Sequence, residues 1–154
     1  MLKKLFALET KANLIPYTVS RIAIGAFFLI TGFNKLFNPT FQASMLKTIT
    51  SIGFPYPQFT ANFAAANEAI FGLLLAVGLF TRFSAFVLNI VLFVALFTFD
   101  LQHLPTGLDP FTWYSYFAYL PQVLYLLFLF NAWAIGGGPL SIDAFLVRRK
   151  RRIG

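Results

Sequence analysis

The stretch from Ala61 to Arg82, ANFAAANEAIFGLLLAVGLFTR, constrains this chain more than any other. Its first twenty residues, Ala61 to Phe80, carry a single charge, Glu68. At helical rise they are long enough to cross a hydrocarbon layer about 30 Å thick. A lone carboxylate at that depth costs about 2.5 kcal/mol or more. The rest of the chain is therefore expected to supply it with a cation.

The composition agrees with a membrane reading. The 154 residues are 58% hydrophobic and 11% charged, against about 25% charged in an ordinary soluble domain. A soluble core of this size could not hide so much apolar surface, and the 21 Phe suit a surface facing lipid tails. There are no Cys residues, which excludes disulfides, thiolate metal sites and a cysteine electron relay. Any redox role must use a bound cofactor or a partner.

In chain order, the lead MLKKLFALETKANLI is basic and amphipathic, with Lys3, Lys4 and Lys11. It has no small-x-small cleavage site before the next apolar run, so it is expected to be retained. Four crossings are predicted, at about 15–34, 61–80, 83–99 and 113–135, followed by a basic tail over 140–154. Pro16 suits the first turn of the first span, which contains Arg21 and ends at Lys35. The connection between the second and third spans is short enough to make them antiparallel neighbours. Pro121 predicts a kink in the fourth.

Residues Phe37 to Gln58 are too polar to span. Asn38-Pro39-Thr40 can open a short helix with Phe41, Met45, Ile49 and Ile52 on one stripe, ended by Gly53-Phe54-Pro55. That stripe suits either the membrane face or the rim of the bundle. The fold expected is thus all-α, an integral membrane four-helix bundle with a short amphipathic interfacial helix between spans one and two, forming a single domain.

Orientation follows from the basic residues. The lead, the Arg82 turn and the tail share one face and hold three, one and five Lys or Arg, while the other face has Lys35 and Lys47. The positive-inside rule then puts both termini in the cytoplasm. The run Arg148-Arg149-Lys150-Arg151-Arg152 reads as an anchor beside anionic lipid, with no nucleic acid partner expected.

Helix rise brings Lys35 within easier reach of Glu68 than Arg21, and either could neutralise the acid; Asn67 could add a hydrogen bond. At the other membrane level Arg82 and Asp143 suggest a structural ion pair. These groups serve either as polar glue between helices or, at Glu68, as a ligand or proton site. Gly25, Gly32, Gly72 and Gly78 are read as close-packing points between helices. His103 is the only His and stands in a loop with Asp100 and Asp109; a solvated loop is preferred to a weak cation site, and no metal site is expected.

The pattern Arg21-x3-Gly25-x6-Gly32-x2-Lys35-Leu36, then Glu68-x3-Gly72-x5-Gly78-x2-Thr81-Arg82, then Gly138-Pro139-Leu140-Ser141-Ile142-Asp143 resembles the DoxX family of small bacterial membrane proteins. The resemblance implies a four-helix protein of the bacterial inner membrane. It also implies association with membrane redox systems, among them quinone-linked oxidoreductases, and by position it carries over Arg21, Lys35, Glu68, Arg82 and Asp143. Two functions follow. One is a redox-associated membrane subunit that binds a quinone or similar hydrophobic ligand near Glu68; if it is an enzyme, it acts as part of a quinone-linked oxidoreductase. The other is a non-catalytic scaffold or small-solute transporter. Oxidoreductase partner proteins, a homo-oligomer and membrane lipid are the expected partners.

Overall fold

The computed structural model of the chain describes residues 14–153. The basic lead with Lys3, Lys4 and Lys11 falls outside the described residues. The elements are α1 (Ile15–Phe37), α2 (Pro39–Ser51), α3 (Pro57–Val77), α4 (Thr81–Thr98), a short 3-10 turn (Asp100–His103), α5 (Pro110–Tyr119), α6 (Pro121–Ile135) and α7 (Ile142–Ile153). The described residues include no strand. Three helical stretches, Ile15–Phe37, Pro57–Val77 and Thr81–His103, are long and apolar enough to cross a membrane, and a fourth crossing arises if α5 and α6 are taken as one span.

Prolines set several of the boundaries. Pro16, Pro39, Pro57, Pro110 and Pro121 each occupy the first turn of a helix, where a missing N–H costs nothing. Pro57 starts the Glu68 helix four residues earlier than the apolar run suggests. Pro121 does more than kink the expected fourth span. Leu120 before it is extended, at φ −65° and ψ 123°, because the proline ring disfavours helical geometry in the preceding residue. The result is a break: α5 and α6 differ in direction by 69°. The single span expected over 113–135 is therefore two helices.

α1 and α3 form the most extensive helix pair, and α4 packs against both α3 and α6. Small residues make the first contact possible. A Cβ at Gly25 or Gly32 would fall closer than 3 Å to the backbone of Ala76 or Ala69, and one at Gly72 would meet Leu29 N at 2.5 Å. The two backbones touch where a side chain would otherwise separate them. Phe28, Leu75, Leu88, Leu92 and Leu129 form the buried core where α1, α3, α4 and α6 meet. Outside it, Phe33, Phe63, Phe93, Phe97 and Phe130 are exposed, an apolar coat that only lipid or another apolar surface can cover without cost.

Of the two places open to the stripe on α2, the structure selects the bundle. Ile49 is buried, Met45 and Ile52 are half-buried against the other helices, and Phe41 alone of the four is exposed. Asn38 caps this helix by accepting from Thr40 N at 3.1 Å. α2 thus packs against α1 and α3.

Candidate functional site

Lys35 closes the last turn of α1 and Glu68 sits midway along α3, and the packing of these helices brings them together. The Lys35 ammonium donates to both carboxylate oxygens of Glu68, at 2.8 Å to Oε1 and 2.6 Å to Oε2. The glutamate side chain is 8% exposed and the lysine 28%. This is the one salt bridge among the described residues. Of the two cations within reach by helix rise, Lys35 is the partner. Asn67 does not join them: its amide donates to Phe63 O of its own helix at 2.7 Å.

The pair forms part of the wall of a cavity of about 540 Å³ between α2, α3 and α4, closed at one end by the 3-10 turn and the start of α6. Ile49, Phe63, Val91 and Val94 make up much of its apolar lining. Its size and character, mostly apolar with a few polar groups, are those of a small-molecule pocket. Asp100 and Gln122 also line it. Gln122 Nε2 donates to Asp100 Oδ1 at 3.1 Å, while Asp100 Oδ2 and Gln122 Oε1 are buried with no hydrogen-bond partner. Sequence reasoning had placed Asp100 in a solvated loop and missed Gln122. The one usable signal was a glutamine directly after Pro121, the only amide or charged side chain between Leu120 and Phe130.

Asp100, His103 and Asp109 do not converge. His103 Nδ1 lies 2.7 Å from Phe99 O with its ring against that of Phe99. Asp109 caps α5 through Phe111 N and Thr112 N. These hydrogen bonds, those from Thr112 foremost, hold its carboxyl below the usual carboxylate range. Among the described residues no three His, Cys, Asp or Glu side chains group as metal ligands.

The other polar cluster lies at the α3–α4 hairpin. Arg21 is 1% exposed, yet its partners are carbonyls rather than carboxylates: Leu75 O and, at 2.8 Å, Ala76 O from the last turn of α3, and Leu140 O at 2.9 Å. Its guanidinium therefore stands where positive charge complements a helix C-terminus. Gly78, at φ 73°, ends α3 in the left-handed region that glycine adopts at no steric cost. Any Cβ there would collide with Arg21 and Ser141.

The expected ion pair between Arg82 and Asp143 does not form. Asp143 spends its carboxylate on the start of α4, accepting from Phe80 N at 2.9 Å and from Thr81 N and Oγ1 at 3.0 and 2.9 Å. The reason is local. α4 has no side-chain cap of its own, so its free N–H groups and positive end draw the nearest carboxylate. Asp143 N in turn donates to Gly78 O at 2.9 Å, while Arg82 turns to Ala134 O at 3.2 Å. Ser141 caps α7 through Ala144 N at 3.1 Å, as the sequence suggests.

These features define a polytopic helical membrane protein with a buried ion pair set in the wall of an apolar cavity. More narrowly, the profile of the DoxX family matches residues 17–101, more than half of the chain, and the chain belongs to that family. The matched segment contains Arg21, Lys35, Glu68, Arg82 and Asp100; Gln122 and Asp143 lie beyond it. No curated protein and no solved structure matches the chain.

Proposed function

We propose that this protein is a redox-associated subunit of the bacterial inner membrane, a four-helix bundle with both termini in the cytoplasm, that holds a quinone or similar flat hydrophobic molecule beside Glu68. One observation carries the reading: a cavity of about 540 Å³ whose lining is largely apolar but includes a buried ion pair. Lys35 gives two of its three N–H groups to Glu68, and the third is left to polarise an oxygen on the ring. Glu68 keeps the ammonium in place, while Ile49 and Val91 pack the ring's faces. With no Cys in the chain, the electrons belong to the bound molecule and to a partner protein. Family membership supports the redox setting, and the basic tail supports the orientation.

The test is a mass-spectrometric inventory of small molecules and polypeptides that copurify with the detergent-extracted protein, repeated on Glu68→Gln. A quinone present in the native preparation and depleted at least tenfold in the variant is the expected result. A quinone retained equally by Glu68→Gln, or an oxidoreductase copurifying with no small molecule at all, favours the scaffold reading instead.

A further inference from the structure

The cavity beside Glu68 is lined by two residues whose buried acceptors nothing satisfies. Thr48, Thr60 and Thr98 stand in its wall, but each hydroxyl proton is already given to a backbone carbonyl, of Ser44 at 3.2 Å, Pro55 at 2.8 Å and Val94 at 2.7 Å. They turn only lone pairs toward a ligand. One N–H of the Asn67 amide is engaged with Phe63 O, one of the Gln122 amide with Asp100, and two N–H groups of Lys35 with Glu68. Against these stand Asp100 Oδ2 and Gln122 Oε1, both buried and both without a partner. An unpaired buried acceptor costs about 1–3 kcal/mol, and such groups are rare in finished structures. Two of them, on hydrogen-bonded residues that both line one cavity, describe a place where a hydrogen-bond donor belongs.

We propose that the ligand of this cavity is an apolar molecule bearing a hydroxyl donor, and that its O–H is received by Asp100 Oδ2 and Gln122 Oε1. The claim rests on the reading that the cavity binds a hydrophobic ring, and it narrows that reading. Of a quinone couple, the dihydroxy reduced form satisfies this wall, whereas the oxidised form brings two more acceptors to it. An oxidised ring would leave both orphaned oxygens unpaired. The proposal concerns binding, with no bond made or broken in the cavity.

The probes are 4-nonylphenol and its methyl ether, which differ by one O–H, titrated into the full-length protein in detergent. The native protein is expected to bind the phenol at least tenfold more tightly than the ether, and Asp100→Asn, which puts an N–H where Oδ2 stood, to reduce that ratio below threefold. Comparing the ratio between variants cancels the different partitioning of the two probes into micelles. Gln122→Met provides a second variant, expected to shrink the ratio as well, should Asp100→Asn fail to fold. Val91→Trp, which fills the cavity, reports whether either probe sits there. If native protein binds both probes equally and Val91→Trp expels both, the cavity binds rings but the donor claim is wrong. If neither probe binds, or Val91→Trp leaves both bound, the donor claim falls together with the cavity reading itself.

Discussion

The two ends of the α1–α3 pair each hold a charge contributed by α1, and they treat it in opposite ways. At the hairpin end Arg21 is surrounded by backbone: three carbonyls from α3 and the Gly138–Ser141 turn receive it, and Gly78 is small because the guanidinium and Ser141 leave no room for a Cβ. At the α2 end Lys35 meets a single carboxylate, and beyond that carboxylate lies open volume. A charge packed on all sides by main chain can only hold helices together. A charge pair facing a cavity can also meet a ligand, and this difference in surroundings separates structural glue from a candidate site where residue type alone does not.

That contrast can be broken by substitution. Arg21→Met should have the largest effect, because it removes three hydrogen bonds and leaves α3's terminal carbonyls buried; a loss of about 2–4 kcal/mol in detergent unfolding is expected. The fraction that remains folded should bind a cavity ligand normally. Glu68→Gln should cost less, about 1–3 kcal/mol, by leaving Lys35 without its anion, but should impair binding. The double variant Lys35→Met/Glu68→Leu sharpens the point: stability should recover relative to Glu68→Gln, since a neutral, well-packed pair often replaces a buried ion pair without loss, while binding should stay impaired. Recovery of both would make the pair mere glue.

Gly72→Ala tests the frame that holds both ends level. Its Cβ would meet Leu29 N at 2.5 Å and Phe28 C at 2.8 Å, so α1 must move away; a cost of about 1–3 kcal/mol is expected, with weakening of the Lys35–Glu68 contact readable as reduced ligand affinity. The smallest effect is expected at Asp109. Its folded carboxyl lies below the ordinary value of 3.8, so its capping of α5 is fully present above that value and is lost as the pH falls through the lower folded one. Amide exchange over 110–119 should therefore accelerate only in acid, and Asp109→Ala should show the accelerated exchange at neutral pH as well.

Much of the frame was legible from residues alone. The first three spans, the α2 stripe and the Lys35–Glu68 match follow from apolar runs and helix rise, each of them local or one-dimensional, whereas Pro121 predicts only a kink where the structure has a break. What was not legible depends on backbone atoms. Arg21 was weighed as a partner for Glu68 because carboxylates are visible in a sequence, whereas the carbonyls of Leu75, Ala76 and Leu140 are not. Arg82 was paired with Asp143 by charge, but an uncapped helix start offered the carboxylate directed N–H groups instead. Asp100 and Gln122 are 22 residues apart, and only the break at Leu120 turns α6 so that the two meet on the cavity wall.

The central claim, that the volume beside Glu68 is a binding site rather than a packing defect, is tested most directly by photolabelling in membranes with a diazirine-bearing alkyl quinone, followed by peptide mapping. Adducts concentrated on the cavity faces of α2, α3 and α4, at residues such as Ile49 and Val91, and abolished by Val91→Trp, are predicted. Adducts spread along the exposed Phe coat of α4 and α6, unchanged by Val91→Trp, would contradict the account.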